Sequence, residues 1–153
     1  MVGAPLVAAG ATLAVQAVIL VVVSLVLGLR DPTAAETMAL VGGTTLAGLA
    51  FALLGVAAAV RTRTDAAVNA TVYLFFGLSF LTSAFAPREE LTGWLRPVAT
   101  ANPLTYVLEG LREVSGGVAP PGALLAGAAT VAVVAAVGAA ACAAAFRHAE
   151  TAR

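Results

Sequence analysis

Four stretches of this chain, residues 6–29, 38–60, 66–86 and 122–146, each run for twenty or more residues without a charged side chain. A hydrocarbon layer about 30 Å thick is crossed by about 20 apolar helical residues. A charge at the centre of such a helix costs roughly 2.5–3.5 kcal/mol on insertion. The charges sit instead between the stretches, at Arg30-Asp31 and Glu36, at Arg61, Arg63 and Asp65, from Arg88 to Glu113, and from Arg147 onward. Charge placement therefore marks span ends independently of hydropathy. The fold expected is all-α and membrane-embedded, with four transmembrane helices.

Composition agrees. The chain is 61% hydrophobic and 10% charged, where soluble domains carry about 25% charged residues, and its mean hydropathy is +1.00. A soluble fold would have nowhere to hide the surplus apolar surface. The first stretch lacks a cationic start and is longer than the apolar core of a signal peptide, so it reads as a retained span. Every cation is Arg and there is no Lys, which excludes a standard phosphate-binding P-loop. One Cys (Cys142) and one His (His148) cannot build a structural zinc site or an intrachain disulfide. Zero net charge gives no electrostatic footprint for nucleic acid. No span holds paired carboxylates or a His cluster, so neither catalytic residues, a metal nor a cofactor is expected.

Between the third and fourth stretches the pattern becomes amphipathic. Leu91, Trp94, Leu95 and Val98 follow helical spacing, with Glu89 and Glu90 suited to a helix N-terminus and Pro97 a break. Asn102 is placed to cap a second helix with Pro103 in its first position. That helix carries Leu104, Val107, Leu108, Leu111 and Val114 on one face. Glu109, Arg112 and Glu113 fall on the other, where Glu109 and Arg112 could pair at the surface. Gly116-Gly117 and Pro120-Pro121 end it. Residues 87–115 thus read as a two-helix re-entrant or interfacial hairpin, with Trp94 and Tyr106 at its edges. Charge does not orient the chain: with a cytoplasmic N-terminus, Arg61, Arg63, Arg147 and Arg153 lie inside and Arg30, Arg88, Arg96 and Arg112 outside.

The segment Ser83-Ala84-Phe85-Ala86-Pro87, leading to Gly93-Trp94-Leu95, is followed by Asn102-Pro103-Leu104-Thr105-Tyr106 and then Leu111-Arg112. Together they resemble the signatures of type-2 ABC-exporter permeases of the daunorubicin-resistance kind. Gln16, in a span ending Leu27-Gly28-Leu29-Arg30, resembles that family's third span. The likeness covers nearly the whole chain and starts at the family's third span, so the first two spans and the coupling helix that follows them fall outside it. It implies a re-entrant hairpin on the outer side, dimerisation, both termini in the cytoplasm of a multi-pass plasma-membrane protein, and a separate ATPase subunit. The expectation is the membrane subunit of an ATP-driven exporter for a drug, an antibiotic or another amphipathic molecule, working as a homodimer or with a second permease chain. The alternative is a four-span accessory subunit that assembles or regulates a complex and transports nothing by itself.

Polar and aromatic groups inside spans are the pathway candidates: Gln16, Asn69, Tyr73 and Phe76. Gln16 and Asn69 serve equally well as interhelical hydrogen-bond partners. Trp94, Asn102, Pro103, Tyr106 and Arg112 are the candidate outer gate. In the last span Ala128, Ala132, Ala136, Ala140 and Ala144 repeat every fourth residue, a ridge that lets another helix approach closely.

Overall fold

In the computed structural model residues 3–29, 31–84 and 88–151 are described. Arg30, the Phe85-Ala86-Pro87 motif and Arg153 lie outside them, and the His148 side chain is likewise not described. Among the described residues every regular element is helical: α1 Gly3–Val26, α2 Ala34–Thr62, α3 Asp65–Phe80, a 3₁₀ turn Arg88–Glu90, α4 Leu95–Ala101, α5 Pro103–Val114 and α6 Ala123–Thr151. Three of them, α1, α2 and α6, are long and apolar enough to cross a membrane. Their outward side chains, such as Leu20, Val26, Leu125 and Val133, are aliphatic and exposed. A surface of that kind belongs against lipid, and the chain is a multi-pass membrane protein.

The helix α2 is the hub, packing against α1, α3, α5 and α6. It starts where a Thr-x-x-Glu sequence forms a reciprocal cap: the Glu36 N–H donates to Thr33 Oγ1 (3.2 Å) and the Thr33 N–H to Glu36 Oε2 (2.7 Å). It stops at Arg63, whose left-handed backbone (φ 54°) turns the chain into α3. The core is a small apolar cluster of Ala47, Phe51 and Val107, flanked by Leu54, Phe75, Leu104 and Val131. Phe51 meets Phe75 edge-on at 4.9 Å between centroids.

The third expected span is shorter than the sequence indicates. Helix α3 ends at Phe80, so its 16 residues measure about 24 Å rather than reaching residue 86. Hydroxyls loosen its last turn: Ser79 Oγ donates to the Phe76 carbonyl (2.6 Å), Thr82 Oγ1 to that of Ser79 (2.7 Å), and the Leu81 N–H bonds Leu78 O in the tighter i−3 pattern.

The hairpin also departs from expectation in its first half. Glu89 and Glu90 belong to the 3₁₀ turn, Gly93 takes φ +62°, and the helix begins only at Leu95. Pro97 lies inside that helix instead of breaking it. Being the third residue of α4, it occupies a place where a backbone N–H has no intrahelical partner to lose. The second half is as expected: Asn102 Oδ1 accepts the Leu104 N–H at 3.0 Å and Pro103 opens α5.

Helix α5 lies across α6 at a crossing of two glycines. A Cβ on Gly127 would stand 2.8 Å from the Tyr106 carbonyl oxygen, and one on Gly110 3.0 Å from that of Ala123. Only two residues without side chains permit so close an approach. The carboxylate of Glu113 then accepts the Leu124 N–H (2.6 Å) and satisfies the start of α6.

Candidate hairpin gate and apolar groove

The face of α5 read from sequence as solvated is covered in part: Glu109 is buried and Arg112 half-buried, while Glu113 stays exposed. Asn102, Thr105, Glu109 and Arg112 recur at helical spacing along one side of α5. The first three are at most 3% exposed. Arg112 is half-buried. This stripe faces the end of α3 and the 3₁₀ turn, while Val107, Leu104 and Leu111 turn to the core around α2 and α6. Asn102, Glu109 and Arg112 each find a different partner across the seam.

Glu109 does not pair with Arg112. It takes both arms of the Arg88 guanidinium, Nε to Oε1 at 2.9 Å and Nη2 to Oε2. Arg88 also stands 4.8 Å above the Tyr106 ring, a cation–π contact. The hydrogen bond to Glu109 raises the Arg88 guanidinium above its ordinary value, against the opposing pull of partial burial. The ion pair therefore stays charged on its cationic side at any accessible pH. Arg112 donates through Nη2 to the carbonyls of Ser83 (2.6 Å) and Ala84 (3.3 Å). Asn102 is used at both ends: while its oxygen caps α5, its Nδ2 donates to Leu78 O (2.8 Å) and Leu81 O (3.0 Å) at the end of α3. Tyr106 Oη donates to Thr100 O (2.7 Å) and closes the corner between α4 and α5. Two buried hydroxyls in the same layer, Ser83 Oγ and Thr105 Oγ1, have no hydrogen-bond partner among the described residues.

Of the expected gate residues, Asn102, Tyr106 and Arg112 thus meet in one seam, with Pro103 half-buried beside them. Trp94 does not join it and is 70% exposed at the start of α4. Arg88, Ser83, Thr105 and Glu109 belong to the seam too and are not among the expected gate residues; Glu109, expected to pair with Arg112, pairs with Arg88 instead. The signal for Thr105 and Glu109 was present in their spacing from Asn102 and Arg112.

The expected pathway residues scatter. Gln16 on α1 and Asn69 on α3 are exposed, as is Tyr73. Phe76 alone of the four lines a groove between α2 and α3, an 800 Å³ hollow bordered also by Phe51, Gly55, Thr71, Phe75 and Ser79. Its walls are apolar with two hydroxyls, and Leu104 of α5 reaches its edge. A second apolar hollow of 630 Å³ lies among α2, α5 and α6.

The family model described as ABC-2 type transporter matches residues 1–115, which run from α1 through the end of α5. No curated protein matches the chain, and no solved structure does.

Proposed function

Since the chain belongs to the ABC-2 type transporter family and is a permease subunit of an ABC transporter, we propose that it is the membrane component of an ATP-driven exporter of drugs, antibiotics or other amphipathic molecules. A cytoplasmic ATPase subunit supplies the energy, and a second copy or a second permease chain completes the conduit. In this reading α3 crosses the membrane as the third of four spans, both termini are cytoplasmic, and the hairpin of α4 and α5 re-enters the membrane from the outer side as a gate.

The groove between α2 and α3 carries the reading. A hollow of 800 Å³ walled by Phe51, Phe75 and Phe76 with the hydroxyls of Thr71 and Ser79 suits an apolar molecule bearing a few polar groups, the usual make-up of a small-molecule site. Its edge touches Leu104, so a cargo in the groove lies next to the base of the hairpin.

The test is ATP-dependent uptake of amphipathic dyes into inside-out vesicles holding the chain together with an ATPase subunit. Phe76→Asp, which sets a charge in the groove, is expected to abolish uptake while leaving the assembled complex intact. Capture of the ATPase with no uptake of any dye would replace export by the accessory, assembly-or-regulation role.

A further inference from the structure

Helix α5 and helix α3 are held in different ways. Apolar packing fixes α5 against α6 and α2, including the glycine crossing at Gly110 and Gly127. Helix α3 leans on α2 through the Phe51–Phe75 contact and the approach of Thr71 to Gly55. Its C-terminal end meets α5 through polar bonds from Asn102 and Arg112. On the α3 side the acceptors in that joint among the described residues are main-chain carbonyls, at Leu78, Leu81, Ser83 and Ala84.

Carbonyls at a helix end are the groups that water satisfies as readily as a side chain does. The net gain over hydration is small for the neutral Asn102 bonds and moderate for those of the Arg112 guanidinium. The closed joint also shuts in two unpartnered hydroxyls, Ser83 Oγ and Thr105 Oγ1, and each raises the energy of the closed arrangement relative to a hydrated one. A joint whose modest gains are set against two penalties has the small energy difference that a two-position element requires.

We propose that α3 rocks on α2 about the Phe51–Phe75 contact, with Asn102 and Arg112 as the catch that holds its end against α5. Releasing the catch moves the α3 wall of the groove, and re-forming it restores the groove's closed width. The relevance to cargo rests on the groove being the route, but the movement itself needs neither cargo nor ATP to be observed.

The experiment is a spin-label distance measurement on the full chain in liposomes, in a Cys142→Ala background. One label pair reports α3 against α6, at the exposed Phe80→Cys and Val133→Cys. A control pair reports α2 against α6, at the exposed Met38→Cys and Leu125→Cys. The expected result is a main and a minor α3–α6 distance with the catch intact. In Asn102→Ala with Arg112→Gln the ratio of minor to main rises about tenfold, and Arg112→Lys gives an intermediate rise. The control distance stays fixed throughout. A single α3–α6 distance shared by all variants overturns the proposal, and so does a control pair that broadens along with it, which would make the joint part of the fold's support. Loss of dye uptake with two α3–α6 distances still present would count against the exporter reading alone.

Discussion

The asymmetry of the Arg88–Glu109 pair makes a sharp prediction. Glu109 is 2% exposed at its side chain and Arg88 20%. Removing Arg88 leaves a carboxylate with almost no water, and breaking a buried pair in this way costs about 3–5 kcal/mol. Removing Glu109 leaves a guanidinium that already reaches solvent and keeps its place over the Tyr106 ring, so the loss is about 1.5–3 kcal/mol, that of one charge-assisted interaction. Arg88→Ala should therefore be the more damaging of the two, although Arg88 is the more exposed partner. Replacing both by apolar residues of similar size, Arg88→Met with Glu109→Leu, should recover most of the loss, because neither then leaves an uncompensated charge. Thermal unfolding in detergent, followed by the loss of monodisperse protein on size exclusion, is the assay. For a chain of this length each 1 kcal/mol moves the midpoint by roughly 2–4 °C, so Arg88→Ala should fall by about 6–20 °C and Glu109→Ala by distinctly less. Equal small shifts, or a double variant no better than Arg88→Ala, would refute the argument.

Three further outcomes are expected. Asn102→Ala loses both the cap of α5 and the donors to α3 and should lower the unfolding midpoint by at least the worth of the cap, about 1 kcal/mol; an unchanged midpoint would remove the Asn102 side chain from the account. Gly127→Leu has no room beside the Tyr106 carbonyl and should destabilise by about 1–3 kcal/mol or more through overpacking, read as lost detergent-stable yield, whereas the same change at Gly77, where a Cβ meets open space, should be tolerated. The guanidinium of Arg88 is raised above its ordinary value, so its stabilising effect is complete below that value and fades only above the folded one. Raising the pH from about 7 to about 10 should leave the wild-type advantage over Arg88→Ala undiminished, and a gap that closes over that interval would contradict the sign.

The long helices were legible because the absence of charge is a strong and local signal. Helices α2 and α6 each contain the stretch expected over residues 38–60 and 122–146 apart from its first residue in α6, and α1 is shifted by a few residues toward the N-terminus. The Asn102-Pro103 start of α5 was legible because cap and first-turn chemistry depend only on neighbours in sequence. What failed was the assumption that amphipathic means half-wet. The polar face of α5 looks like a solvated face in one dimension, and only the return of α3 and the 3₁₀ turn onto it makes it a seam. The end of α3 was hidden for a similar reason: residues 81–86 carry no charge to mark a span end, whereas the helix stops at Phe80, where the hydroxyls of Ser79 and Thr82 bond nearby carbonyls. Arg88 could not be matched to Glu109 from spacing, since the two are 21 residues apart.

Because Asn102 and Arg112 grip main-chain oxygens rather than side chains, the joint to α3 imposes almost no demand on which residues stand at positions 78, 81 and 84. Those positions are free to drift in sequence and to adjust the greasiness of the α3 end to its surroundings, while the two gripping residues on α5 are not. Variation along this chain should therefore be lopsided: a permissive partner on one side of the contact, and on the other a donor pair in which even a conservative exchange is felt.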